Sequence, residues 1–356
     1  MDLLAIATGV VGGIGLFLLG MRLMTEGLRL GAGHALRSIL ERGTATRARA
    51  VLAGIGITAL VQSSSAVTVA VIGFANAGLL SLAQAVAVVF GSNVGTTITG
   101  WLVALVGFNV DVKAMALPGI GVGMAMRLAS AGRAGGFGEA LVGFGVFFLG
   151  IDVLKGSLGG LQESIAFAGW TTNDLLGVVA FTLAGFALTV VMQSSSAALA
   201  VILTSVGQGV VSIESGACLV IGANAGTTST AAIAAIGATS NAKRVAVAHI
   251  AFNAVTGVVA LVTLPLLLLA AGRFREALGL GSEPAAVVAG FHTLFNVLGV
   301  ALMWPLTSRL VGMLERRFRT PEEDEARARY LDRNILATPV LAVGARGLEL
   351  ARLGAI

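Results

Sequence analysis

Between Ala50 and Asn109 the chain carries no Asp, Glu, Lys or Arg, and the same holds from Leu175 to Ile213. Either stretch is far longer than the roughly 20 apolar residues that take a helix across hydrocarbon. Across all 356 residues only 12% are charged and 56% are hydrophobic, against roughly 25% charged in an average soluble domain. A soluble globule has no interior large enough for that much apolar surface, so the expected class is an all-α polytopic membrane protein. A transmembrane β-barrel requires short alternating segments with a polar inner face, and no such alternation runs through the sequence. The 49 glycines would each cost about 1 kcal/mol against Ala in a water-exposed helix. In lipid they permit close helix packing and broken helices.

Charge and residue types remove several function classes. The formal charge of +5 comes from Arg residues at the ends of apolar spans, not from a basic stripe interleaved with aromatics, so nucleic acid is not an expected partner. A single cysteine, Cys218, excludes an internal disulfide. The three His residues have no Cys or carboxylate cluster around them, so neither a metal centre nor a cofactor is expected. The first 20 residues resemble the apolar core of a signal peptide. They lack a basic leading region, and with Asp2 acidic they read as a retained helix.

The chain repeats itself. Gln62-Ser63-Ser64-Ser65 recurs as Gln193-Ser194-Ser195-Ser196, an offset of 131. Thirty-one residues after each Gln stands an Asn, within Gly91-Ser92-Asn93-Val94-Gly95-Thr96-Thr97 and Gly222-Ala223-Asn224-Ala225-Gly226-Thr227-Thr228. Upstream, Gly15 to Gly20 answers to Gly145 to Gly150 at an offset of 130. A first transmembrane repeat over 1–110, a connecting span over 111–136 and a second repeat over 137–242 account for these matches. Two further helices over 243–314 resemble each other through His249-Ile250-Ala251-Phe252-Asn253 and His292-Thr293-Leu294-Phe295-Asn296. A charged tail over 315–356 follows.

Short loops rich in Lys and Arg stay on the cytoplasmic side. Between the Gly-ended block and the Gln block, the first repeat carries Arg22, Arg29, Arg37, Arg42, Arg47 and Arg49 against Glu26 and Glu41. The matching segment of the second carries Asp152, Glu163 and Asp174 against Lys155 alone. Equivalent loops therefore fall on opposite sides, which predicts inverted-topology repeats with a substrate held between them, a plan common in secondary transporters. The charged cluster from Arg309 to Arg333 places the C-terminal end in the cytoplasm.

Four consecutive polar side chains inside an apolar run are costly unless something satisfies them. One such block reads as interhelical glue. Two at equivalent positions, each followed at the same distance by a Gly-Asn-Gly-Thr-Thr block, read as a substrate site. The glycines flanking Asn93 and Asn224 are expected to let the backbone leave its helix there, as irregular backbone at membrane depth is tolerated only in buried protein or along a cavity. Hydroxyls, amides and the free N–H groups of half-helices suit an oxyanion. No Lys or Arg lies in either polar region to balance its charge, so cations are expected to enter with it, on Gln carbonyls, hydroxyls and freed backbone carbonyls. The lack of carboxylates there argues against proton coupling. His249 and His292, each near an Asn, read as hydrogen-bonded structural residues, and Glu214 reads as the end of a loop.

With these motifs the chain resembles the type II sodium-dependent phosphate cotransporters, in a bacterial form, over about residues 10 to 312. The resemblance implies phosphate and sodium as co-transported substrates, re-entrant broken helices carrying the two Gln-Ser-Ser-Ser motifs, alternating access, a bacterial inner-membrane location and no enzymatic chemistry. By position it assigns phosphate binding to Ser63, Ser64, Ser65, Ser194, Ser195, Ser196, Asn93 and Asn224. Sodium binding goes to Gln62, Gln193, Thr96, Thr97, Thr227 and Thr228. Membrane lipid and a second copy, as a homodimer, complete the expected partners. Tyr330 to Thr338 resembles the opening of the PhoU-type helical domain that bacterial members often append. The disulfide-bearing loop of the animal members has no counterpart in residues 151–175. Transport of another oxyanion, phosphate sensing without flux, and a passive anion channel remain as rivals.

Overall fold

The computed structural model describes residues 3–106, 111–162, 172, 174–277, 279–280, 283–318 and 339–354. All regular structure among them is helical: α1 (Leu3–Arg42), α2 (Arg47–Val61), α3 (Ser64–Asn76), α4 (Leu82–Trp101) with a π-helical turn at Leu102–Val106, α5 (Val112–Ala129) and α6 (Arg133–Gln162). There follow α7 (Leu175–Met192), α8 (Ser195–Gly207), α9 (Ile213–Gly226), α10 (Thr228–Ala234), α11 (Ser240–Val262), α12 (Leu264–Ala277), α13 (Pro284–Arg317) and α14 (Pro339–Gly354). Among the described residues seven helical segments are long and apolar enough to cross a membrane. Leu175, Leu183 and Val191 on α7 and Leu117, Val122 and Leu128 on α5 leave their side chains exposed, which only a hydrocarbon surround makes favourable at this density. The chain is a multi-pass membrane protein. It divides into two compact units, Met1–Val311 and Gly312–Ile356. In the second, Glu349 pairs with Arg352 one turn on along α14. Tyr330 to Thr338, which carry the resemblance to a PhoU-type tail, lie outside the described residues.

Glycine spacing decides the helix pairing in the first unit. On α1, Gly13, Gly20 and Gly27 recur every seven residues, as do Gly136, Gly143 and Gly150 on α6. A Cβ at Gly13 would meet the Gly150 carbonyl, one at Gly20 the Gly143 carbonyl, and one at Gly27 the Gly136 carbonyl. Contact positions climb along one helix as they fall along the other, so α1 and α6 are antiparallel with their backbones in direct apposition. Phe17 of α1 packs on Phe147 of α6 with ring centroids 4.5 Å apart.

Within each repeat the same device joins two other helices. A Cβ at Gly54 of α2 would strike the Val88 carbonyl of α4, and one at Gly91 the Val51 carbonyl; Gly95 sits against Ile55 and Thr58. Shifted by 131, Gly185 of α7 meets Leu219 of α9, Gly222 meets Thr182, and Gly226 meets Phe186 and Thr189. Here the contact positions rise together, so α2 runs parallel to α4 and α7 parallel to α9.

Because α4 starts beside the start of α2, where Gln84 Nε2 donates to the Thr44 carbonyl at 2.8 Å, the intervening α3 has to run back. α2 and α3 thus form a helix–break–helix hairpin. Each half is too short to cross hydrocarbon alone: the 13 residues of α3 extend about 20 Å at 1.5 Å per residue, against a core about 30 Å thick. α7 and α8 repeat the helix–break–helix order, although the 18 residues of α7 make it one of the seven segments long enough to cross; both copies are followed by a glycine of positive φ, Gly78 at 72° and Gly209 at 70°, and a serine N-cap, Ser81 or Ser212.

Candidate functional site

Both hairpins turn on their glutamine. Gln62 and Gln193 are the non-glycine residues of positive φ among those described, at 55° and 50°. An L-residue in that region costs about 1–2 kcal/mol, so the surroundings must hold it there. Gln62 is held by its own side chain, whose Nε2 donates to the Ala59 carbonyl at 2.5 Å. Gln193 does the same to the Val190 carbonyl at 2.6 Å. The hairpins break at these glutamines, inside the two motifs expected to lie on broken helices, whereas the break expected at the glycines flanking the asparagines is found in the second repeat alone, where α9 ends at Gly226. Asn93 lies inside an unbroken α4, and the kink between α9 and α10 falls at Thr227, three residues past Asn224. The flanking glycines serve close packing of α4 on α2 and of α9 on α7.

After each break a serine restarts the helix. Ser63 Oγ accepts from the Ala66 amide and Ser194 Oγ from the Ala197 amide, both at 3.2 Å, as N-caps do. Ser64 and Ser65, and likewise Ser195 and Ser196, then occupy a first turn whose amides have no carbonyl one turn behind them. The Ser64 and Ser195 hydroxyls make no hydrogen bond among the described residues. Two half-helix N-termini, each with free N–H groups and a free hydroxyl, are ready-made anion receptors.

The two motifs are joined through a residue pair that reading the motifs alone passed over. Thr99 of α4, fully buried, donates to Gln62 Oε1 at 2.7 Å and lies 3.4 Å from Ser196 Oγ. With its proton spent on Gln62, Thr99 accepts from Ser196. The counterpart of Thr99 at offset 131 is Thr230, which lies 3.1 Å from Ser65 Oγ. These cross-repeat contacts, Ser196 with Thr99 and Ser65 with Thr230, are equivalent under the internal duplication. The signal was available in the same offset that aligned the serines. The duplication is nevertheless broken in one respect: Gln62 is buried, whereas Gln193 is exposed and Thr230 donates to the Thr227 carbonyl at 2.8 Å.

Asn93 and Asn224 are placed elsewhere than beside the serines. Asn93 Nδ2 donates back to the Val89 carbonyl at 2.9 Å, and its Oδ1 lies 3.4 Å from both His249 Nε2 and Asn253 Nδ2. Asn224 Nδ2 donates to Asn253 Oδ1 at 2.6 Å and reaches Asn296 Oδ1 at 3.4 Å. The result is a buried amide chain joining α4, α9, α11 and α13. His249 enters it as the structural residue the sequence suggested. His292 does not, since both of its ring nitrogens are buried without a partner. The hydroxyls of Thr96, Thr97, Thr227 and Thr228 all donate to backbone carbonyls three or four residues back, those of Thr227 and Thr228 reaching across the kink into α9, which leaves oxygen lone pairs as the only chemistry they can offer outward.

Paired hairpins with broken helices, repeated within a multi-pass helical membrane protein around neutral oxygens and amides, define the class: a membrane protein with a duplicated polar site and no ionised side chain in either motif. The Na+/Pi-cotransporter family model matches residues 16–156 and again 162–302, and the chain belongs to that family, whose two matches reproduce the internal duplication. The Bacillus subtilis (strain 168) protein named "Uncharacterized protein YqeW" is 33% identical over 84% of this chain and 94% of its own length. From Escherichia coli (strain K12), the protein named "Putative inorganic phosphate export protein YjbB" is 30% identical over 97% of this chain. The chain spans 62% of that relative's length. The rabbit (Oryctolagus cuniculus) protein named "Sodium-dependent phosphate transport protein 2A" is 32% identical over 25% of this chain and 14% of its own length. No solved structure matches the chain.

Proposed function

We propose that the chain moves inorganic phosphate across a bacterial inner membrane together with sodium, by alternating access and without covalent chemistry. The observation that carries this reading is the meeting of the two serine motifs, each at the N-terminus of a half-helix, through Thr99 and Thr230. Ser64 and Ser195, with free hydroxyls, and the first-turn amides beside them are the primary phosphate contacts. Ser65 and Ser196 complete the set, while Ser63 and Ser194 shape it as caps.

Charge accounting supports the cation. A helix N-terminus is equivalent to roughly half a positive charge, so two half-helices supply about one, against nearly two negative charges on a phosphate group near neutral pH. Sodium makes up the difference, on the carbonyl oxygens of Gln62 and Gln193 and the hydroxyl oxygens of Thr96, Thr97, Thr227 and Thr228. Asn93 and Asn224 act behind this shell by fixing the helices.

Inversion of the repeats is supported by the pairing of α1 with α6. These helices carry the matching blocks Gly15 to Gly20 and Gly145 to Gly150, and they run antiparallel. The arginines between α1 and α2 mark the cytoplasmic side under the same reading. The name of the Escherichia coli relative speaks of export and that of the rabbit relative of sodium dependence; in a secondary transporter the gradients set the direction of net flow. Purified protein in proteoliposomes should accumulate labelled phosphate under an inward sodium gradient, with excess sulfate failing to compete. Uptake indifferent to sodium would sink the coupling.

A further inference from the structure

We infer that Thr25 of α1 is a positioning residue that latches the first hairpin shut at its break, and that the second hairpin, which lacks this latch, is the half through which the polar site opens. The role of Thr25 in transport rests on the alternating access proposed above, while the latch itself does not.

A helix leaves its last four carbonyls without a partner of its own. At the end of α2, Gln62 takes two of them: its amide donates to the Thr58 carbonyl at 2.7 Å and its Nε2 to the Ala59 carbonyl at 2.5 Å. The Val61 carbonyl, the last before the break, accepts from Thr25 Oγ1 at 2.8 Å. That donor comes from another helix. Since α1 is pressed backbone to backbone on α6, Thr25 fastens the break to the most closely packed helix pair in the first unit.

The end of α7 is left otherwise. Gln193 Nε2 takes the Val190 carbonyl, but the Met192 carbonyl, in the place of Val61, accepts no hydrogen bond among the described residues. What faces it explains this. An offset of 130 relates α1 to α6 and carries their contact with it: Gly13 meets Gly150, and their equivalents Gly143 and Gly20 meet in turn. Both helices run on unbroken from these glycines, so the counterpart of Thr25 is Lys155, which has no hydroxyl. In addition, α1 packs beside α2, whereas α6 packs on α8 more than on α7.

Exposure follows the latch. Gln62 is 4% exposed, and Gln193 is open. A bare amide facing hydrocarbon is costly, so the opening beside Gln193 is an aqueous one. For the site to open at the first hairpin instead, the bond from Thr25 to Val61 has to break, and Thr25 thereby sets how often that half opens.

Thiol labelling of the purified protein in detergent tests the latch without requiring transport. Thr58 and Thr189 are equivalent residues one turn before each Gln, 0% and 1% exposed, with hydroxyls that have no partner to lose. In a Cys218→Ser background, each is replaced by Cys and treated with a water-soluble reagent. Thr25→Val deletes the latch hydroxyl at nearly constant shape; it should speed labelling of Thr58→Cys about tenfold, the loss of one hydrogen bond, and leave Thr189→Cys within about twofold. Thr25→Ser should restore the slow rate, and Thr25→Ala, which deletes the same hydroxyl without its bulk, should act as Val does. Gln193→Cys should label fast whether or not Thr25 is present. An unchanged Thr58→Cys rate in the folded variants, equal acceleration at both cysteines, or slow labelling of Gln193→Cys would overturn the inference. If the selective change is seen while wild-type proteoliposomes take up no phosphate, the latch stands and the transport reading falls.

Discussion

Replacing Thr99 by Val isolates the contact that brings the two serine motifs together. The substitution keeps the branched shape but deletes the hydroxyl, leaving Gln62 Oε1 without its 2.7 Å donor and removing the acceptor 3.4 Å from Ser196. Gln62 is 4% exposed and Thr99 fully buried, so water cannot readily replace the lost donor. A buried acceptor left bare costs about 1–3 kcal/mol, and the longer Ser196 contact adds little. Gln62 also depends on its side-chain contacts to stay at positive φ, so the loss should fall at the upper end of that range. Unfolding of the purified protein in detergent by denaturant titration gives the stability change. Gln62→Met alone should also destabilise, and the double variant should lose less than the sum of the singles, because removing both partners leaves no stranded polar atom. A loss for Thr99→Val below about 0.5 kcal/mol, the range of neutral surface changes, or strict additivity in the cycle, would refute the idea that this hydroxyl bridges the motifs.

Other expectations follow from the same geometry. Ser64→Ala combined with Ser195→Ala should abolish phosphate uptake while leaving folding intact; normal uptake would move the substrate elsewhere. Gly222→Val should prevent the α7–α9 pairing, because its Cβ would strike the Thr182 carbonyl, so folded yield in membranes should collapse. In a Cys218→Ser background, a water-soluble thiol reagent should label Gln193→Cys quickly and Gln62→Cys slowly, given the exposure of the first and burial of the second. Equal labelling would mean that the two halves are not in different states.

Sequence pattern disclosed the membrane class because the driving term is local: uncharged runs longer than a bilayer have few other stable fates. Duplication was equally legible, since it is a property of the letters. The capping roles of Ser63 and Ser194 could have been foreseen from the preference of serine for the residue before a helix. The break expected beside Asn93 is absent, since α4 runs through it, because a glycine pressed against a neighbouring backbone can serve contact without leaving its helix. In this chain the glycines at Gly91, Gly95, Gly222 and Gly226 are consumed by helix contact, and two glutamines take the left-handed conformation with their own side chains as brace.

What the sequence determined by itself was the helical membrane class, the division into two similar halves and the neutral chemistry of the polar motifs, all encoded in neighbouring residues and a fixed offset. Only the tertiary structure decided that Thr99 and Thr230 face the opposite repeat's serines, that Asn93 and Asn224 turn away into an amide chain with Asn253 and Asn296, and that one glutamine is buried while its twin is open. Those outcomes depend on which helix faces meet across many intervening residues. Two copies of one motif can share every local preference and still be left in different surroundings when the halves settle against each other.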